Sequence, residues 1–471
     1  MSTLATICHV ALLIFVVVMI FNIIIFTHEL GHFLAGKWRG LQIDRFQIWF
    51  GKPLWSKTVN GVQYGLGWIP FGGFVALPQM APMEAIEGGN THEQPLPPVT
   101  PLDKIIVAFA GPLFSMLLAL LAAVVVWQVG KPADFIPTTE IGFVLPDSPA
   151  ATAGLQAGDK ITAINGAPVN GFSGPLDSIM ARVILSRGEN IQFTVERPGV
   201  AETLTLTSGF ETEKSQWFQR RGLRQVGLAH ASPALVAATA VNGPAARAGL
   251  TKGDRILKVD GIPLHSPLEF RQYLKDQKWQ AVALEVQNPA GEIREISLTP
   301  QLPLSPKNLD PMAGLEWDLD AGVDLRIVHP GPWGQVVESL QMMWITITSV
   351  VARDSSIGID HLSGPVGIAK HQYAILQTEH AWRRILAFMV LFNVNLAVLN
   401  MLPFPVLDGG HITLAMLEKL ARRPVKARVL EVVQTVFALL LISLMLYVTS
   451  KDVGDGFGRG TAKDEQIIFA P

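Results

Sequence analysis

Cysteine is almost missing: Cys8 is the one in 471 residues. No disulfide can form within the chain, and a thiolate metal cluster is excluded. Charge is scarce too. Asp, Glu, Lys and Arg make up 16% of the residues, against about a quarter in an ordinary soluble protein. The two signs nearly cancel, 37 basic against 39 acidic residues, so no field of one sign draws in nucleic acid or another polyanion. These shortages exclude a nucleic-acid binder and a disordered chain, and disfavour a soluble enzyme. Apolar residues take the place of charge, at 49% with a mean hydropathy of +0.33. Part of the chain belongs in lipid.

Four segments are apolar enough to span: residues 10–26, 105–127, 385–402 and 432–448. With their flanks each approaches the roughly 20 residues a bilayer requires. The first is expected to be a span and not a cleaved signal peptide, since no basic stretch precedes it and Thr27-His28-Glu29 follows in place of small residues. Lys37, Arg39, Arg45, Lys52, Lys57 and Lys104 lie between the first two spans, and Lys419, Arg422, Arg423, Lys426 and Arg428 between the last two. Short basic connections stay in the cytoplasm. The expectation is a multi-pass inner-membrane protein with both termini and the long middle region periplasmic; Arg383 and Arg384, on the outer flank of the third span, are outweighed.

The middle region repeats itself. Residues 148–161 read SPAATAGLQAGDKI and residues 243–256 read GPAARAGLTKGDRI, 95 positions further on. Asn165-Gly166 and Asp260-Gly261 follow as tight turns, and Pro175-Leu176 and Pro267-Leu268 each open a helix-like stretch. The pattern resembles tandem PDZ domains of the bacterial, circularly permuted type, whose groove beside a sheet edge can accept a peptide as an added strand. Two small β domains acting as spacers are the plainer alternative. From residue 330 to 351, Val336, Val337, Leu340, Met343 and Trp344 recur at helical spacing. They predict either a helix on the membrane surface or a linker helix packed on the second copy.

Chemistry is concentrated at the inner end of the first span, in Thr27-His28-Glu29-Leu30-Gly31-His32. Positions four apart share a helix face, so His28 and His32 can aim two imidazoles at one ion, with Glu29 beside them to take a proton from water. Ionisable groups in a span are costly and default to function. A catalytic zinc takes three protein ligands and keeps one position open. The third should come from Asn400-Met401-Leu402-Pro403-Phe404-Pro405-Val406-Leu407-Asp408-Gly409-Gly410-His411, right after the third span. Asp408 offers a hard oxygen before two glycines that allow a sharp turn; His411 is its rival.

His-Glu-x-x-His on the first span, together with Asn-x-x-Pro-x-Pro-x-Leu-Asp-Gly-Gly, resembles the site-2 protease family of intramembrane zinc metalloproteases. Four spans with two PDZ copies between the second and third resemble its bacterial branch. Residues 362–369 are similar as well, and Ile69-Pro70-Phe71-Gly72-Gly73-Phe74-Val75 resembles the family's membrane-associated β-hairpin. The chain departs from the pattern in the second span, where Ser115 stands in place of the usual asparagine in Gly-Pro-x-x-Asn. The resemblance implies Zn²⁺ held by His28, His32 and Asp408, with Glu29 as general base. It implies that Asn400, Gly72 and Gly73 bind substrate, the strand near Gly72-Gly73 pairing with an unwound helix.

The resulting expectation is a polytopic α-helical membrane protein, with four transmembrane helices and a membrane-associated β-hairpin, plus two tandem α+β PDZ domains. Its divisions are residues 1–130, with two spans and the hairpin, 135–222 and 223–304 for the PDZ copies, and 305–380 for a linker with the amphipathic helix. Residues 381–450 hold the last two spans, and 451–471 form a polar tail. Its substrate would be a single-pass membrane protein, an anti-sigma factor already cut by another protease or a leftover signal peptide, with the PDZ pair screening entry. The competing readings are a membrane-anchored PDZ scaffold or chaperone with a non-catalytic metal site, and a transporter. The scaffold has no need of Glu29 beside the ligands, and the transporter would call for inverted repeats among the spans.

Overall fold

Among the described residues four helices are long and apolar enough to cross a membrane. They belong to a computed structural model that describes residues 3–80, 99–305, 310–421 and 427–458, together with 467 and 469. Arg422, Arg423 and Lys426 of the last basic connection, and most of the stretch beyond residue 458, lie outside the described residues. The chain divides into two units: Met1–Pro132, Ile327–Thr348 and Leu362–Val453 form one, and Ala133–Arg326, Ser349–His361 and Gly454–Pro471 the other.

Helix α1 (Thr3–Arg39) carries the first span and runs on unbroken through His28 and His32. Gly40, at φ 73°, ends it, and Leu41 N–H donates to Gly36 O at 2.9 Å, satisfying one of the helix's last carbonyls. Strands β1 (Arg45–Val59) and β2 (Val62–Ala76) follow, joined by the Asn60-Gly61 turn. They do more than pair once. Residues 45–48 lie between residues 63–66 and residues 73–76, while 53–59 pair with 62–67. The sheet bends at Trp49 and Gly51, both at positive φ. Buried Gln47 holds that bend, donating to Trp49 O at 2.9 Å and Gly51 O at 2.8 Å. Among the described residues, segment 73–76 is an edge, with a strand partner on one side.

Helix α2 (Pro101–Val129) starts at Thr100, whose hydroxyl accepts from Asp103 N–H at 3.2 Å, with Pro101 in the first turn. Its buried positions are mostly small, among them Ala108, Ala110, Gly111, Ser115, Ala119, Ala122 and Ala123. Lipid supplies no hydrophobic drive between helices, so close approach through small residues does the packing.

The middle region builds the same order twice. The first copy is β3 (Ile141–Val144), α3 (Pro149–Thr152), β4 (Lys160–Ile164), β5 (Ala167–Pro168), α4 (Ile179–Leu185), β6 (Ile191–Glu196) and β7 (Leu204–Ser208), closed by β8 (Leu228–His230) against β3. The second is β9 (Ala234–Thr239), α5 (Pro244–Arg247), β10 (Arg255–Val259), β11 (Ile262–Pro263), α6 (Pro267–Asp276), β12 (Val282–Gln287) and β13 (Ile293–Leu298), closed by β14 (Leu315–Trp317) against β9. Both closing strands lie beyond the copy limits at 222 and 304 read from sequence. Alternation places Ile191, Phe193 and Val195 in one core and Val282, Leu284 and Val286 in the other. One buried carboxylate anchors each copy: Arg197 donates to Asp159 at 2.7 and 2.8 Å, and Arg294 to Asp254 at 2.7 Å.

Helix α7 (Pro332–Val351) lies for most of its length in the unit that holds the membrane helices. Val336 packs with Ala119 and Val394, and Gln335 donates to Ala123 O at 3.0 Å, so this face lies against membrane helices. Helix α8 (Pro365–Leu376) begins at Gly364-Pro365. Its free N–H groups are met by Asp452, which accepts from Gly364 N at 3.0 Å and Gly367 N at 2.8 Å. A Cβ on Gly367 would collide with that carboxylate, so the contact requires glycine there. Helices α9 (Ala381–Asn400), α10 (Asp408–Ala421) and α11 (Ala427–Gly458) complete the chain, so the polar tail begins as helix.

Arg197→Leu would leave Asp159, whose side chain is 1% exposed, charged and without its partner. Chemical denaturation should show the first copy losing roughly 3 kcal/mol, with Arg294→Leu costing less because Arg294 is 44% exposed.

Candidate metal centre

His28 and His32 sit one turn apart on α1 and Asp408 opens α10. His28 Nε2 lies 3.2 Å from Asp408 Oδ2, His32 Nε2 lies 3.3 Å from Asp408 Oδ1, and the two Nε2 atoms are 3.3 Å apart. Ligands about 2.0–2.1 Å from a tetrahedral ion are separated by about 3.3 Å, so the two ring nitrogens and the carboxylate have the spacing of ligands to one ion. The opposite ring nitrogens are fixed. His32 Nδ1 is 2.8 Å from Val107 O, a carbonyl that only accepts, so Nδ1 carries the proton and Nε2 keeps its lone pair. His28 Nδ1 is 3.0 Å from the Ser115 hydroxyl. Two imidazole lone pairs and a carboxylate, nearly buried and convergent, suit a cation of the zinc type.

Glycines make the convergence possible. A Cβ on Gly111 of α2 would strike both His32 Nε2 and His28 Nε2, and one on Gly31 would strike Ala110 O. Gly409 and Gly410 act differently from the sharp turn expected of them, since neither has positive φ. They lie in the first turn of α10, where a Cβ would collide with the carbonyls of Met401, Leu402 and Phe404. Their bareness lets the chain after Asn400 fold over the helix start and present Asp408 at its N-terminus, where the helix dipole favours a carboxylate. Arg39 on Asp103 at 2.6 Å and Lys104 on Glu418 at 3.0 Å tie α1 and α10 to α2 at this level.

A cavity of about 610 Å³ opens onto the triad, lined also by Glu29, Gly73, Phe74, Val75, Asn400 and His411. Gly73 passes so close to α1 that a Cβ there would lie 3.6 Å from Glu29 Cγ. Of the residues expected to bind substrate, Asn400 and Gly73 line the cavity. Gly72 does not; at φ 78° it lies against the Phe50 ring, where a Cβ would clash. His411 also lines the cavity but stands outside the triad. Ser115 was the departure from the asparagine pattern, yet it supplies a hydrogen-bond partner for His28. The sequence marked Ser115 as a departure and not as a partner of His28, and it did not mark Val107 O, because a backbone carbonyl carries no motif.

The sequence profile described as Peptidase family M50 matches residues 15–444. The regulator of sigma-E protease RseP of Salmonella typhimurium (strain 14028s / SGSC 2262) is 29% identical over 443 residues, covering 90% of this chain and 94% of its own. RseP of Escherichia coli (strain K12) is 28% identical over 438 residues, with the same coverage. A putative zinc metalloprotease of Neisseria meningitidis serogroup A is 29% identical over 444 residues, covering 90% and 95%.

Ser115→Ala should weaken zinc binding about 10–100-fold while leaving the fold intact, measured by competition with a chromogenic chelator. Gly111→Ala should abolish binding by occupying the space of both imidazoles.

Proposed function

Because the chain belongs to peptidase family M50, the site-2 proteases, and is a membrane zinc metalloprotease, we propose that it hydrolyses a peptide bond within the transmembrane segment of single-pass membrane proteins. The observation that carries this reading is the meeting of His28, His32 and Asp408 at 3.2–3.3 Å on a cavity shared with Glu29. His28, His32 and Asp408 hold the zinc. When bound, zinc supplies Lewis-acid chemistry, polarising a peptide carbonyl and acidifying water near neutral pH.

The chain's own groups do the rest. Glu29 takes the proton of the attacking water and returns it to the leaving nitrogen. Val107 O keeps His32 in the tautomer that leaves Nε2 free, and the Ser115 hydroxyl orients the His28 ring. A helical substrate must first unwind, and backbone groups released in lipid have to find partners. Segment 73–76 offers them as an unpaired edge beside Glu29, so the substrate adds as a further strand with Gly73 admitting its backbone. The Asn400 amide holds the substrate backbone from the other wall.

The two middle copies, taken as PDZ domains of residues 135–222 and 223–304 extended by their closing strands, screen substrates by size. Substrates shortened by an earlier cut pass. The names of the relatives, regulators of sigma-E, support an anti-sigma factor as such a substrate and a role in stress response; leftover signal peptides are a second class. The basic connections support a multi-pass inner-membrane protein with the copies periplasmic and the metal toward the cytoplasm.

The test is cleavage of a tagged single-pass reporter by the wild type and by Glu29→Gln, with zinc content measured in both. Cleavage should fall about 10²–10⁴-fold, the range for losing a general base, with zinc retained. Unchanged cleavage removes Glu29 from the mechanism. Deleting residues 141–303 should permit cleavage of full-length substrate; if full-length substrate stays uncut and the shortened form is cut more slowly, the copies recruit and do not screen.

A further inference from the structure

The repeat copies match closely where each closing strand begins. In the first, Ala150 N donates to Val226 O and Leu145 N to Gly227 O, both at 2.9 Å; in the second, Ala245 N donates to Ala313 O and Ala240 N to Gly314 O, both at 2.9 Å. Gly227 and Gly314 are thus equivalent and both have positive φ, 84° and 71°. What faces them differs. In the first copy the Ser148 side chain fills the space, its hydroxyl capping α3 by accepting from Ala151 N at 3.2 Å. In the second copy Gly243 stands at that position and α5 has no side-chain cap. The missing side chain leaves a slot between Gly243 and Gly314, and an aromatic ring occupies it: Phe469.

The fit is close. A Cβ on Gly314 would lie 2.9 Å from Phe469 Cε2 and 3.2 Å from Cζ, and one on Gly243 would lie 3.4 Å from Cδ2. Phe469 is 2% exposed, whereas Ile467, two residues earlier, is 41% exposed. A buried aromatic two residues from an exposed side chain fits an anchor seated in a pocket. The sequence around it, Gln466-Ile467-Ile468-Phe469-Ala470-Pro471, lies beyond the family match, which stops at residue 444. We propose that the C-terminal end of this chain is a resident ligand of the second repeat copy, anchored by Phe469 in the slot that Gly243 opens. Gly314 leads directly into β14, which with α6 walls an apolar groove of about 570 Å³. Phe469 does not line that groove; it braces the loop at the start of one wall. This inference does not rest on the proteolytic reading.

Hydrogen exchange on the full-length protein tests it, with the first copy as internal reference. Amides of residues 467–469 should be protected in the wild type. In Phe469→Ala and in Gly243→Ser they should exchange at least about tenfold faster, with residues 226–230 unchanged. Gly243→Ser restores the residue the first copy already carries, so it folds and acts by filling the slot. In parallel, a fluorescent peptide of residues 463–471 should bind protein truncated after Gly458, fail to bind full-length protein, and lose binding when its phenylalanine becomes alanine. Unprotected tail amides in the wild type, protection that survives Gly243→Ser, or a peptide indifferent to loss of its phenylalanine would each overturn the proposal.

Discussion

Two imidazoles and a carboxylate have to converge at membrane depth, where none of them can be left to solvent. The membrane unit is arranged around that demand. Bringing α1 and α2 close enough requires Gly31 and Gly111 at the crossing, because any side chain there would meet the Ala110 carbonyl or the histidine rings themselves. Once the helices touch, Val107 O and Ser115 come within hydrogen-bond distance of the two Nδ1 atoms. One close contact therefore sets the position of the ring pair and the tautomer of His32.

The third group arrives by a different route. Asp408 begins a helix instead of ending a span, and the prolines and glycines around it fold residues 401–407 over its N-terminus. The same economy of side chain appears where Gly364 and Gly367 admit the Asp452 carboxylate to the start of α8. Bare backbone at these places allows polar groups to reach partners that lipid cannot provide. The bent sheet contributes in kind: Gln47 satisfies two carbonyls of the bend, and the free edge of 73–76 comes to rest beside Glu29.

Much of this was legible in the sequence because helical spacing is rigid. His28 and His32 are four apart, the spans are uninterrupted, and the internal repeat is written twice with the same punctuation. What was hidden depends on contacts between distant segments. Strands β8 and β14 are three residues long and lie far from the sheets they close, so no local pattern marks them. The double pairing of residues 45–48 follows from a bend at Trp49 that alternation does not encode. An apolar helix face reads alike whether it meets lipid or another helix, so the sequence left the partner of α7 open, and one of its faces packs against α2 and α9. Ser115 looked like a lost partner, yet its hydroxyl lies 3.0 Å from His28 Nδ1. The glycines after Asp408 were rightly noted as necessary, but for close approach and not for a turn.

X-ray absorption at the zinc edge of the purified full-length protein tests the central claim most directly. It should report one zinc per chain with two imidazoles in its coordination shell, and Asp408→Ala should change that shell or empty it. A wild-type spectrum lacking the imidazole pair, or an unaltered spectrum at full occupancy in Asp408→Ala, would contradict a shared ion.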